Sequence, residues 1–287
     1  MKPREFEYIR ASSLDEVFAT LDSHGDDAKI LAGGQSLIAA MNMRFAAPEI
    51  LIDINDIAEL KGINVEGGTL RIGAMNRHVD VMGSADVATH APLISLAMPN
   101  IAHATIRNRG TFGGSLANAD PASELPACTI ALDGVFNIQG SAGARQVAAI
   151  DFFEGAYATK LKDNEVLVSV DLPISSPESK PFFEEVSRRQ GDYAMAGLAA
   201  QANVAGGIIS NPKLVFFAVS EVAASAPSAA ALLDGKNIVD VDVDAVCDTL
   251  ANDITPFEDL TTSAEAKMHL MKVLTKRAIS QWTGDKK

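Results

Sequence analysis

Two glycine pairs, each with a hydroxyl residue close by, have the composition of a phosphate cradle. The first lies in Leu31-Ala32-Gly33-Gly34-Gln35-Ser36-Leu37, the second in Ile106-Arg107-Asn108-Arg109-Gly110-Thr111-Phe112-Gly113-Gly114-Ser115. A pyrophosphate needs several donors within reach and no Cβ in its way. Consecutive glycines allow positive-φ turns whose N–H groups point inward as an anion nest. Ser36 and Thr111 add hydroxyl donors, and Ser36 stands where a helix would open, the end that favours an anion. Asp120, beyond the second pair, is an acceptor suited to ribose or ribityl hydroxyls. Either pair alone reads more simply as a tight turn. Two together point to a bound dinucleotide.

A Rossmann site is the competing form of such a cradle. A strand, a glycine loop, a helix and then Asp53 at the end of the next strand match its outline. The spacing fails, because Ala32-Gly33-Gly34-Gln35-Ser36-Leu37 is not G-x-G-x-x-G and lacks the glycine that lets helix and strand pack closely. Asp53 is then a strand-end residue that starts a turn.

The elements that must position these loops are legible in outline. Ser13 and Glu16 form a capping box before Leu14, Val17, Phe18 and Leu21, which recur at helical spacing up to Gly25. Ala28 to Leu31 reads as a buried strand, Ser36 to Met43 as a helix and Ile50 to Ile54 as a second strand, a compact βαβ-like unit. Thr69 to Gly73 is strand-like, and Pro92 to Ala97 and Ser123 to Leu132 are helical. Val135 to Ile138 and Gln146 to Ile150 suggest a hairpin through Gly140-Ser141-Ala142-Gly143, and Glu165 to Ile174 is a further strand. Ser175-Ser176-Pro177-Glu178-Ser179 reads as a linker. Strands at Phe182 to Val186, Ala196 to Val204 and Leu214 to Val219 follow, with a turn at Gly206-Gly207 and a small-residue helix over Ala223 to Ala231. The last helix, Ser263 to Trp282, shows an apolar stripe of Leu270, Val273, Leu274 and Ile279.

Composition excludes several functions. The 287 residues are 47% hydrophobic and 21% charged, an ordinary globular balance, with a formal charge of −13. Such a chain repels nucleic acid and anionic membranes, although a loop of N–H groups can still hold an anion locally. Cys128 and Cys247 are its two cysteines. That is too few for a disulfide framework or for the four thiolates of a 2Fe–2S cluster, and it suits two buried thiols in a reducing cytoplasm. His24, His78, His90, His103 and His269 show no metal-ligand spacing; His103 either touches the cofactor or caps a turn. The N-terminal residues lack a signal-peptide core, and no apolar run approaches the ~18 residues of a membrane span. A cytoplasmic protein is expected.

The two loops resemble those of the FAD-binding medium subunits of carbon monoxide dehydrogenase and xanthine dehydrogenase-type enzymes. The likeness includes Asp53-Ile54-Asn55 after the first loop, Ala119-Asp120-Pro121 and Leu125-Pro126 after the second, and Arg189-Gln190-Gly191-Asp192-Tyr193-Ala194 beyond both. It runs from Lys2-Pro3 to the final helix. It implies a mixed α/β (α+β) fold: an FAD-binding domain of the PCMH type over residues 1–176, in subdomains of about 1–55 and 56–176, then a C-terminal α+β domain of the CO dehydrogenase flavoprotein type over 177–287.

The resemblance also implies an assembly and a set of roles. A large subunit would carry the molybdenum cofactor, a small one two 2Fe–2S clusters, and this chain non-covalent FAD, with a dimer of such heterotrimers allowed. Electrons would run from molybdenum through the clusters to the flavin and then to an external acceptor. Lys29 and Ala32, Gly33, Gly34, Gln35, Ser36 and Leu37 would hold one side of the pyrophosphate. Thr111, Gly113, Gly114 and Ser115 would hold the other, and Asp120 a ribityl or ribose hydroxyl. Ala102 and Leu161 would line the flavin, and Tyr193 would lie near the isoalloxazine ring or serve packing alone. No catalytic dyad and no metal ligand is identified. Asn118 stands where many members have His, and Leu260 to Ala266 lacks the expected His and aromatic residue in a segment that should meet a partner. The alternative is a free-standing FAD-dependent oxidoreductase of the same fold with its own organic substrate.

Overall fold

The computed structural model describes residues 2–284 and contains three sheet-based units. In the first, Ile50–Asp53 runs between Glu7–Arg10 and Ala28–Leu31, all parallel. Leu14–His24 packs on this sheet through Leu14, Val17, Phe18 and Leu21, the spacing expected of its buried face. Its capping box is shifted by one residue. The Ser13 hydroxyl accepts from the Glu16 N–H (3.3 Å), but the Glu16 carboxylate reaches back to the N–H and hydroxyl of Ser12. The strand Glu7–Arg10 was not expected; it is short and mostly exposed, so neither alternation nor an apolar run marks it.

The second unit is a five-stranded antiparallel sheet in the order Ile63–Glu66, Thr69–Gly73, Glu165–Pro173, Val135–Gly140, Gly143–Ala148. Six short helices between residues 78 and 131 cover it and carry the second glycine loop. The expected hairpin is present with Gly140 opposite Gly143, which places the turn at Ser141-Ala142.

The third unit is an antiparallel sheet of Ser179–Val186, Ala196–Ala205, Ile208–Phe217 and the short Ala224–Ser225, backed by Val243–Asp253 and Ala264–Thr283. Ile208–Phe217 begins six residues before the expected strand, because Asn211-Pro212 reads as a break. The ladder absorbs that break as a bulge: Asn211 takes φ 49° and its N–H bonds Asp234, while pairing shifts between Gln201 and Asn203. The expected small-residue helix is confined to Pro227–Ala231, since Ala224–Ser225 pairs as strand.

Packing joins the units. The largest core contains Leu70, Phe136 and Val170 of the second sheet together with Ala199, Val215 and Phe217 of the third. The expected linker is pinned between them: the Ser175 N–H donates to His90 (2.8 Å), and the Ser176 hydroxyl meets the Asn203 side chain (3.0 Å). The final helix buries Lys267, Met271, Leu274, Thr275, Ala278, Ile279 and Trp282. Leu274 and Ile279 of the expected stripe are buried and Leu270 packs against the same core, but the stripe also takes in Lys267, Met271, Thr275, Ala278 and Trp282. No helix among the described residues is long and apolar enough to cross a membrane.

Candidate functional site

Strand Ala28–Leu31 ends in the first glycine loop, whose residues Ala32 to Ser36 lead into helix Leu37–Asn42. The N–H groups of Gly33, Gly34, Gln35 and Ser36 donate to no acceptor among the described residues, and the Ser36 hydroxyl makes no cap bond. Gly34 sits at φ 71°, a region Gly enters at no steric cost. This is a wall of uncommitted donors, the arrangement an anion nest requires.

The second loop differs from the expected nest. Gly113 and Gly114 lie in the first turn of helix Phe112–Asn118, without positive φ. Their N–H groups are already used, Gly113 donating to Ala74 (2.8 Å) and Gly114 to the Thr111 hydroxyl oxygen (3.2 Å). Phe112 donates to Asn76 and Ser115 to Thr111. What this wall offers a ligand is the hydroxyls of Thr111 and Ser115, the latter 2.9 Å from the Ser123 hydroxyl.

A cleft of about 530 Å³ separates the loops, and every residue that the resemblance assigns to the cofactor lines it, whereas His103 does not. Lys29 and residues 32–37 form one wall, and Thr111, Gly113, Gly114, Ser115 and Asp120 the other. Ala102 and Leu161 add apolar surface, and Tyr193, 75% exposed, stands at the edge. Tyr193 arrives from the third unit on a turn that requires glycine. Gly191 has φ 83°, and a Cβ there would fall 2.9 Å from the Ala102 carbonyl oxygen. Asp120 is held by the Ala122 N–H (3.0 Å) and the Tyr157 hydroxyl (3.2 Å).

Residues 4–175 match the family model for the FAD binding domain in molybdopterin dehydrogenase, and residues 181–282 that for the CO dehydrogenase flavoprotein C-terminal domain. The chain belongs to this flavoprotein family of oxidoreductases. It is 38% identical over 280 residues to the carbon monoxide dehydrogenase medium chain of Hydrogenophaga pseudoflava, covering 98% of both chains. It is also 38% identical to the caffeine dehydrogenase subunit beta of Pseudomonas sp. (strain CBB1), covering 98% of this chain and 96% of that one. The solved carbon monoxide dehydrogenase of Hydrogenophaga pseudoflava that lacks the Mo-pyranopterin moiety contains a chain that superposes with a TM-score of 0.96 at 39% identity, with 99% of each chain covered.

The site fits the flavin dinucleotide of this family on its own chemistry. Both walls supply donors, and Lys29 lines the cleft without an ion pair among the described residues. Gly33 brings the two loops together, and Gly113 seats the second on Ala74, just after strand Thr69–Gly73 of its own unit. A Cβ on Gly33 would lie 2.5 Å from the Arg109 carbonyl oxygen, and one on Gly113 2.4 Å from the Ala74 Cβ.

Glu124, His78 and Arg77 of the site carry no mark in the sequence, and Asn55 enters there only within the Asp53-Ile54-Asn55 likeness, without a role. Burial, aided by Glu185 and Asp120, pushes the carboxyl of Glu124, which lines the cleft, up to about 8. Burial lowers the His78 imidazole to about 4, and its Nε2–H donates to the Thr111 carbonyl at 2.9 Å, bracing the second loop. Asn55 and Arg77 stand behind the two loops. Each acts through a partner distant in sequence, and no local pattern marks such residues.

Proposed function

We propose that this chain binds one FAD non-covalently in the cleft and serves as the electron-relay subunit of a three-chain molybdenum hydroxylase. A small partner chain would hold 2Fe–2S clusters and a large one the molybdenum cofactor, in the cytoplasm. The carrying observation is the row of uncommitted N–H donors on residues 33–36, facing the hydroxyls of Thr111 and Ser115 across the cleft. Successive N–H groups left without protein acceptors and open to the cleft form the donor row that a dinucleotide's phosphates accept from.

FAD, when bound, would supply the redox chemistry between the partner's clusters and an external acceptor. The chain's residues bind and orient it. Residues 32–37 and Lys29 hold one side of the pyrophosphate, Thr111 and Ser115 the other, with Gly113 and Gly114 keeping that wall close. Asp120 accepts from a sugar or ribityl hydroxyl, Ala102 and Leu161 exclude water, and Tyr193 borders the ring. Cys128 and Cys247 are too few for the four thiolates of a 2Fe–2S cluster, which supports placing the clusters on a partner.

The full chain, expressed alone and incubated with FAD, should retain one equivalent that denaturation releases, and should contain no iron. A chain that stays colourless with excess FAD overturns the binding site, and stoichiometric iron overturns the division of labour. Reduction of the loaded chain by an organic substrate with no partner present would overturn the relay role.

A further inference from the structure

The two loops belong to different units, so some contact must set the gap between them. Arg77, just before helix His78–Gly83, is half-buried behind the second loop. Its Nη1 donates to the Arg109 carbonyl of that loop, and its Nη2 donates to Oδ1 of Asn55, which follows strand Ile50–Asp53 of the first unit. Asn55 in turn donates through Nδ2 to the Ala32 carbonyl of the first loop at 3.0 Å. The Asp53 carboxylate fixes Asn55 by accepting from its N–H (2.8 Å) and from Nδ2 (2.6 Å). The Arg109 carbonyl oxygen is also the atom against which Gly33 packs.

We propose that Arg77 is a positioning residue whose forked side chain, through Asn55, locks the two glycine loops at the separation a dinucleotide requires. The proposal rests on the FAD reading of the cleft. The fork matters because its two arms reach acceptors on different units, Asn55 and Arg109, and a lysine ammonium is a point donor that cannot span both. Both acceptors are neutral, and the charged groups facing the guanidinium are Arg109, Asp80 and Asp53. Burial and then Arg109 lower its pKa, with Asp80 and Asp53 opposing. A half-buried cation held by neutral acceptors beside a second cation is costly to maintain, and its return is the fixed gap between the loops.

Arg77→Met, Arg77→Lys and Asn55→Ala should each weaken FAD binding roughly 30-fold, the loss of charge-assisted bonds that hold a loop. The thermal midpoint of the FAD-free chain should move little. The double variant Arg77→Met/Asn55→Ala should bind within about twofold of either single variant, since both cut one relay. Millimolar methylguanidinium should restore binding to Arg77→Ala and leave Asn55→Ala unchanged. In the FAD-free chain, Arg77→Met should speed amide exchange in residues 38–43, whose N–H groups bond back onto the first loop and its helix, and in residues 109–115 together. FAD binding within about threefold of wild type in Arg77→Met, or fully additive losses, would overturn the inference. Should Arg77→Met fail to fold, Asn55→Ala and Arg77→Lys carry the same tests. A wild-type chain that binds no FAD overturns the proposed function instead; the exchange experiment then decides the latch, and unchanged exchange in both segments refutes it.

Discussion

Gly33→Ala should lower FAD affinity at least ~100-fold while Gly34→Ala and Gly114→Ala lower it far less. A Cβ at Gly33 would lie 2.5 Å from the Arg109 carbonyl oxygen and 2.8 Å from the Gly110 Cα, against ordinary contact at 3.4 Å or more. Both obstacles are backbone. The loops must separate by about 1 Å, and every donor row aimed across the cleft moves with them. At Gly34 the Cβ would meet the side chains of Ile38 and Leu31 at 3.1 Å, which can yield, leaving ~1–2 kcal/mol for an alanine at positive φ. At Gly114 it would lie 2.5 Å from the Thr111 hydroxyl oxygen, a side-chain end, and the cost is a disturbed helix cap of ~1 kcal/mol. Fluorescence titration of FAD into each folded variant gives the order. Equal losses at Gly33 and Gly34 would show that the loops are spaced by something other than this contact.

The first loop could be read from the sequence because its parts are local: a strand, consecutive glycines, a serine and a helix follow one another within one turn of chain. The second loop was located by the same residues but not in its conformation. Thr111 closes the first turn as an N-cap, and the Asn76 and Ala74 carbonyls take the neighbouring N–H groups. Those acceptors precede the loop by more than thirty residues, and nothing in residues 106–115 announces them. Long-range pairing likewise hid Arg77 and the role of Asn55, which bonds both Ala32 and Arg77, while Glu124 is shifted by a burial that no local pattern shows. In the third unit, Asn211-Pro212 masked half of a strand because a bulge can absorb what local propensity forbids. Lys267 was missed on the buried face of the final helix for a related reason. A lysine reads as solvent-facing until its partners are known.

Those partners make Asp259→Asn a strongly destabilising change in the C-terminal unit, at ~3–5 kcal/mol. Lys267 is 1% exposed, and each of its three N–H donors has a destination. Nζ lies 2.7 Å from the Asp259 carboxylate, 2.6 Å from the Ala218 carbonyl and 4.0 Å from the centre of the Phe257 ring. Ala218 itself, at φ 61°, donates its N–H to Pro121 (2.8 Å), so the final helix is tied to the residue after Asp120 in the cleft wall. Removing the aspartate strands an ammonium that water cannot reach. Lys267→Met removes the charge and keeps the volume, and it leaves a carboxylate whose side chain is 34% exposed and can be hydrated. Its cost should therefore be the smaller, ~1–3 kcal/mol for one unsatisfied buried carbonyl. The hydrogen bond from Lys267 holds the Asp259 carboxyl well below the usual carboxylate range, with the Thr261 contacts helping. Its stabilisation is thus complete above the unfolded value near pH 4 and is lost as the pH falls below it. Urea unfolding at pH 7 should rank wild type, Lys267→Met and Asp259→Asn in falling order, and acidification should shrink the gap between wild type and Asp259→Asn. If Lys267→Met is the less stable variant at pH 7, the ammonium is held by the carbonyl and the ring rather than by its counter-ion, and the gap should then persist in acid.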